Sequence, residues 1–132
     1  MTSIRINLPI PPKPLWPNAR PHWATKARAV KGYRTLAQAL TMVALRCDKP
    51  RWPLAEVTAT FFFKTNRRRD RDNCLAALKA AFDGLTDSGL IADDSGLIHM
   101  PIQFGASNPK DPHVTLVISQ ALNYPCGVER QK

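Results

Sequence analysis

The chain has 132 residues, of which 44% are hydrophobic and 22% charged, which excludes a disordered or fibrous protein and fits one ordinary domain. Nineteen lysines and arginines outnumber ten aspartates and glutamates, so the formal net charge is +9. Such an excess favours a polyanionic partner, with nucleic acid as the first hypothesis and an acidic membrane surface as the alternative.

Neither a membrane span nor a signal peptide is expected. The longest apolar stretches, such as residues 36–45, are interrupted by polar residues and fall short of the roughly 20 apolar residues that a span needs. Residues 1–15 contain prolines and lack a continuous apolar segment. Cys47, Cys74 and Cys126 form no C-x-x-C pair, which favours reduced side chains over a disulfide framework or a zinc site. We therefore expect a cytoplasmic protein.

The first predicted element is a strand over residues 4–10, where apolar and other residues alternate with a period of two. Residues 11–24 follow as a stiff, proline-rich, basic loop, because proline fixes its own φ and lacks a hydrogen-bond donor. This loop carries Lys13 and Arg20 together with Trp16 and Trp23. These side chains could follow a phosphate backbone or stack on unpaired bases, or the tryptophans could pack against the core.

An amphipathic helix is predicted from an N-cap at Thr25 to about residue 46, since apolar residues recur at spacings of three and four. Its early turns carry cations where acidic residues would better suit the helix dipole. Contact with DNA and a solvated face are both open for this basic surface. The cations are Lys26, Arg28, Lys31 and Arg34.

The second half of the chain predicts three strands and one helix. Residues 55–64 are rich in Val, Thr and Phe and favour a central strand, and a helical pattern from Leu75 to Leu85 ends near a C-cap at Gly89. Residues 96–104 are strand-like, but Pro101 indicates an edge or a bulge. Val114 begins the alternation of a last strand, and residues 121–132 form an irregular tail. The order β-α-β-α-β-β predicts a single α/β (α+β) domain over residues 1–132, with a mixed sheet of about four strands and two helices.

A cluster of charges lies where the central strand gives way to the second helix. Residues i and i+2 of an extended backbone point the same way, so Asp70 and Asp72 can direct two carboxylates to one point. Carboxylate oxygens on a loop suit Mg²⁺ or Mn²⁺ better than zinc, and Asp93-Asp94 could supply a third ligand after the helix. Such a site assists phosphodiester hydrolysis. Neighbouring arginines could neutralise phosphates, namely Arg67, Arg68 and Arg69.

A purely structural interpretation of the same residues is also open. Asp72 or Asn73 could cap the second helix, Asp93-Asp94 could form a solvated turn, and the arginines could be a surface patch. His99 and His113 lie in strand-like segments, where a structural histidine is commoner than a general base.

Three segments resemble the central block of the RusA-like Holliday junction resolvases, a family of crossover junction endodeoxyribonucleases. They are residues 68–73 (RRDRDN), 79–86 (KAAFDGLT) and 89–94 (GLIADD), and residues 8–12 (LPIPP) also look like the opening of that family. The resemblance is dense from 68 to 94 and thin after 97. It implies a homodimeric, Mg²⁺- or Mn²⁺-dependent enzyme of a bacterial or phage-infected cell. Such an enzyme resolves branched DNA by symmetric paired nicks during recombination and repair.

The resemblance also implies roles for individual residues. Asp70, Asp72 and Asp94 would hold the metal with Asp93 as a helper, and Lys79 would lie at the scissile phosphate. DNA contacts would come from basic residues on both sides of this block, namely Arg67, Arg68, Arg69, Arg71, Lys13, Arg20, Lys26, Arg28 and Lys31.

Two departures from the family pattern leave other functions open. Three extra residues separate the D-x-D-N run from Lys79, although seven residues after Asp72 it still falls on nearly the same helix face, about 10 Å along. The alternative for Lys79 is an ion pair with Asp83. The segment 99–101 replaces a more regular strand that ends in lysine. Alternative functions are a non-catalytic or weakly active relative that binds branched DNA, and a binder of RNA or single strands.

Overall fold

The computed structural model describes residues 2–67 and 69–121, so Arg68, Cys126 and all but the first residue of the predicted tail lie outside the described residues. The helices are α1 (Trp23–Ala44), α2 (Arg71–Ala77) and α3 (Lys79–Asp87). The strands are β1 (Ser3–Pro9), β2 (Ala55–Phe62), β3 (Leu97–His99), β4 (Gln103–Phe104) and β5 (His113–Gln120). This confirms the predicted α+β class, although the described chain holds three helices and five strands rather than two and about four.

The sheet is mixed, as predicted, and runs in the order β1-β5-β2, with β3 and β4 both along the far edge of β2. Strand β5 is antiparallel to both of its neighbours, and Leu116 pairs with Ile6 on one side and Ala59 on the other. Strands β3 and β4 are parallel to β2. Pro101 lies in the break between them, which confirms the predicted interruption at an edge.

The core lies between one face of the sheet and the helices. Along β1 and β2 every second residue is buried, the pattern of strands with one face against a core. The Tyr33 hydroxyl donates to the Pro9 carbonyl at 2.6 Å and ties α1 to the end of β1. Helix α1 also packs closely on α3, because Gly84 has no side chain to hold the two helices apart. The central strands bury Ala55, Val57, Ala59, Phe61, Val114, Leu116 and Ile118.

Helix α1 begins earlier than predicted. Its N-cap is His22 rather than Thr25, and the His22 Nδ1 atom accepts from the Ala24 backbone N–H at 3.2 Å. The proline-rich loop therefore ends sooner and contains a short 3₁₀ turn at Lys13–Leu15. Among the residues described here, no helix combines the length and apolar character that a membrane crossing requires.

The predicted second helix is divided in two at Leu78. The Leu78 N–H donates to the Leu75 carbonyl at 3.1 Å, a 3₁₀-type bond that ends α2, and α3 starts at Lys79. Helix α3 ends at Asp87 with Ser88 as its C-cap, one residue before the predicted Gly89, and Gly89 follows in the left-handed conformation typical of a glycine after a helix, with φ of 88°.

Candidate functional site

A cleft of about 370 Å³ brings together several of the predicted site residues. Asp72 and Lys79 line it from the two halves of the divided helix, and Asp94 lines it from the turn before β3. Two further polar residues, Asp83 and His99, also line it. Its apolar lining consists of Leu75, Ala76, Phe82 and Leu97.

The helical face of this cleft follows from sequence spacing. Asp72, Ala76, Lys79 and Asp83 are separated by four, three and four residues, so they fall on one face of a helix. The break at Leu78 leaves Lys79 on that face. Asp83 was not predicted as a site residue, only as a possible ion-pair partner of Lys79. Its helical spacing from Asp72 and Lys79 was the sequence signal that could have placed it in the cleft.

The alternative interpretation of Lys79, an ion pair with Asp83, does not hold within the described part of the chain. The salt bridges there join Arg34 to Asp87 and His113 to Asp111. Lys79 is exposed at the rim of the cleft, so its ammonium group is available to an anion.

Asp94 reaches the cleft because the chain after α3 runs beside residues 51–53, just before β2. The Arg51 and Trp52 N–H groups donate to the carbonyls of Gly89 and Leu90, both at 2.9 Å. Gly96 then lies so close to residue 53 that a Cβ would collide with its carbonyl oxygen. The sequence predicted that Asp93-Asp94 returns towards Asp70 and Asp72. The chain path brings one residue of each pair, Asp94 and Asp72, to the same cleft.

Two predicted metal ligands, Asp70 and Asp93, are not among the residues that line this cleft. Asp70 is the N-cap of α2, and its Oδ1 accepts from the Asp72 N–H at 2.8 Å, so the capping role belongs to Asp70 rather than to Asp72 or Asn73. Asp93 accepts from the Ser95 hydroxyl at 2.7 Å, and this bond lowers the pKa of its carboxyl.

The donor set of the cleft has the chemistry of a divalent-metal site, since three carboxylates border one small space and hard cations prefer oxygen ligands. Over residues 2–67 and 69–121, however, no three His, Cys, Asp or Glu side chains stand close enough together to hold a metal ion. Metal binding by Asp72, Asp83 and Asp94 would therefore require their carboxylates to turn towards one another.

His99 lies at the end of β3, with its ring 4.6 Å from that of Phe82. His99 is exposed overall, but the atoms packed beside its ring partly desolvate the imidazole and lower its pKa. The lowered pKa keeps the imidazole neutral at pH 7, which is the form that can act as a general base. His113 does not line this cleft; its ring stacks on Phe62 at 4.6 Å and its Nδ1 lies 2.7 Å from the Asp111 carbonyl, which agrees with a structural role.

Three arginines of the charged run, Arg67, Arg69 and Arg71, line a second depression of about 270 Å³. The Arg69 guanidinium lies 4.0 Å from the centre of the Phe63 ring, and Arg71 lies 5.0 Å from that of Phe104. The Arg71 Nε also donates to the Ile102 carbonyl at 3.2 Å. Stacking holds these planar groups in place for an anion.

The two loop tryptophans have different surroundings. Trp16 packs 6.3 Å from the Phe61 ring and 6.2 Å from the Phe63 ring, and its Nε1 donates to the Pro11 carbonyl at 2.8 Å. Trp23 is 77% exposed. The prediction that both could pack on the core is thus right for Trp16 and wrong for Trp23.

The remaining predicted DNA contacts are exposed and lie on the loop and on α1. Lys26 and Lys31 line a groove of about 640 Å³ together with Trp23. Lys13, Arg20 and Arg28 are exposed elsewhere on these two segments.

No protein-family model matches the chain. An uncharacterized protein of Xylella fastidiosa is 33% identical to it over 99 residues, which cover 74% of this chain and 64% of the relative. The aligned region thus spans less than two thirds of that relative. The comparisons assign no activity, so the cleft itself is the basis for a functional proposal.

Proposed function

We propose that this protein is a metal-dependent, structure-selective DNA endonuclease that resolves Holliday junctions, in the manner of the RusA-like resolvases. The observation that carries the proposal is that Asp72, Lys79 and Asp94 border one small cleft, although 22 residues separate the two aspartates in the chain. The net charge of +9 supports DNA as the partner.

Each side chain has a role in this proposal. Asp72 and Asp94, with Asp83 available beside them, would hold Mg²⁺ or Mn²⁺. The bound ion would polarise the scissile phosphate and make attack by water easier. Lys79 would bind a non-bridging oxygen of that phosphate, and the stacked Arg69 and Arg71 would bind phosphates on its flank.

The proposal includes a homodimer. A four-way junction offers two equivalent strands, so two identical active sites related by a two-fold axis would nick them symmetrically. We place this activity in the cytoplasm of a bacterial or phage-infected cell, during recombination and repair of DNA.

A second candidate is a branched-DNA-binding protein with little or no cleavage. It is favoured by the absence, among the described residues, of three ligands already close enough for a metal, and by the use of Asp70 as a helix cap. In this case the cationic surfaces would bind the junction and the cleft would not act.

The first test is incubation of the purified protein with a labelled four-way junction and with a matched linear duplex. The incubations contain Mg²⁺, Mn²⁺ or EDTA. The endonuclease proposal expects paired nicks confined to the junction and dependent on metal. Asp72→Asn and Asp94→Asn should each lower cutting at least 100-fold while junction binding in EDTA stays near that of the wild type.

Asp48→Asn is the matched control, since it makes the same change at an exposed position that does not line the cleft. Wild-type cutting by Asp72→Asn and Asp94→Asn would show that the cleft is not the active site. Tight junction binding without cutting in any metal would favour the second candidate.

A further inference from the structure

Two further depressions on the helices adjoin the cleft, the second by way of the first. Lys79 and Asp83 line both the cleft and a neighbouring depression of about 250 Å³ between α1 and the divided helix. Lys26 and Val30 line that depression and also the groove on α1 that contains Trp23. The three depressions therefore adjoin one another in turn, and we call the surface that they form from Trp23 past Lys26 to Lys79 the channel.

The α1 end of this channel is positively charged. Helix α1 contains four lysines and arginines and no carboxylate in its 22 residues. Arg34 is neutralised in part by its salt bridge with Asp87, whereas Lys26 and Lys31 form no salt bridge with the described residues. Cations in the first turns oppose the helix dipole, so helix stability does not explain them. Their charge instead complements a polyanion.

The exposed ring of Trp23 indicates which kind of polyanion this surface would bind. Its ring is largely exposed at the first residue of α1, beside the His22 ring at 5.6 Å. An exposed indole gains free energy when a flat apolar surface covers it. In a duplex the faces of the bases are already stacked on one another, whereas an unpaired base has a free face. Cations with an adjacent aromatic ring are typical of surfaces that bind single strands.

We propose that this channel holds an unpaired strand of DNA, with one base stacked on Trp23, the backbone running past Lys26 towards Lys79, and Lys31 binding a phosphate beside the tryptophan. This inference rests on the proposed function for its choice of DNA. It goes further by assigning an unpaired strand and the side chains that bind it.

Tryptophan fluorescence tests the proposal directly, in EDTA so that cleavage plays no part. Trp16 is packed against the core and Trp52 is only 4% exposed, so Trp23 is the residue among the three whose ring a base can cover. A single-stranded oligodeoxythymidine of about ten nucleotides should quench the emission, and a duplex of equal length should quench it far less. Trp23→Phe should abolish the quenching while keeping a ring for stacking.

Affinity for the labelled oligonucleotide, measured by fluorescence anisotropy, gives an independent result. Trp23→Ala should weaken binding roughly 5- to 140-fold, which corresponds to the loss of about 1–3 kcal/mol for one stacked base. Val43→Ala is the matched control, because Val43 is 75% exposed on the same helix but does not line the channel, and it should bind like the wild type. Equal affinity of the Trp23→Ala and Val43→Ala proteins, or equal quenching by the duplex, would overturn the proposal.

The outcome separates this inference from the endonuclease proposal. Junction cleavage by the wild type together with unchanged oligonucleotide binding by Trp23→Ala would overturn the stacking on Trp23 and leave the endonuclease standing. Weakened binding by Trp23→Ala in a protein that cuts no junction in any metal would support the stacking and remove the endonuclease.

Discussion

The crossing of α1 and α3 at Gly84 makes a quantitative prediction about stability. A Cβ at residue 84 would collide with the Arg34 carbonyl and lie 2.9 Å from the Ala37 Cβ, and neither atom can move without the backbone of α1. Alanine is about 1 kcal/mol better than glycine inside a helix, but overpacking costs about 1–3 kcal/mol. Gly84→Ala should therefore range from neutral to about 2 kcal/mol less stable than the wild type.

Gly32→Ala is the matched control for this substitution. Gly32 lies inside α1 with no atom within 4 Å of its missing Cβ, so alanine there should stabilise the protein by up to about 1 kcal/mol. Thermal unfolding followed by circular dichroism should separate the two variants by roughly 4–12 °C, at about 4 °C for each kcal/mol in a chain of this size. If Gly84→Ala raises the melting temperature as much as Gly32→Ala, the close approach of the helices is refuted.

Three further predictions concern ionisable side chains. Hydrogen bonding to Arg34 lowers the pKa of Asp87. The ionised carboxylate therefore stabilises the folded protein at pH values above the usual pKa of a carboxyl group, and this contribution is lost as the pH falls through the lowered pKa. Urea unfolding should therefore show Asp87→Asn slightly less stable at pH 7 and equal to the wild type below the folded-state pKa. Partial desolvation of the ring lowers the pKa of His99, so protonation favours unfolding below about pH 6.5. Because the residue is exposed overall the effect is small, and His99→Gln should lose slightly less stability than the wild type between about pH 7 and 5. Burial raises the pKa of Cys74 to about 11, and peptide mapping should find this thiol unlabelled by iodoacetamide at pH 8 until urea unfolds the chain; prompt labelling would contradict its burial.

Sequence periodicity was sufficient for the regular part of the fold. Strand β1 and the central strand β2 were predictable because every second residue faces the core, and Pro101 marked the break in the edge. The division at Leu78 was not predictable, since residues 71–87 contain no proline and their one glycine lies six residues further on. Leu78 itself is fully buried. The break therefore coincides with a residue that packs in the core, and no local sequence signal marks it.

The candidate site was predictable only for the residues that lie on the predicted second helix, which the structure divides into α2 and α3. Asp72 and Lys79 share a face through their spacing, but the arrival of Asp94 depends on how the chain after α3 runs beside residues 51–53. The contact of the His99 ring with the Phe82 ring likewise depends on tertiary structure. These contacts join residues distant in the chain, and no local pattern specifies them.

The N-cap of α2 allows the two possible roles of Asp70 to be separated. Its Oδ1 accepts from the Asp72 N–H, so Asp70→Ala should cost about 0.5–2 kcal/mol in urea unfolding, whereas Asp70→Asn keeps an oxygen acceptor and should stay within a few tenths. If Asp70 also turns towards a metal, both substitutions should abolish junction cutting, although only Asp70→Ala lowers stability. If the residue is a cap alone, Asp70→Asn should cut like the wild type. Calorimetric titration with Mn²⁺ provides a measurement independent of cutting: weaker binding by Asp70→Asn would identify a ligand, and unchanged binding would limit the metal site to the residues of the cleft.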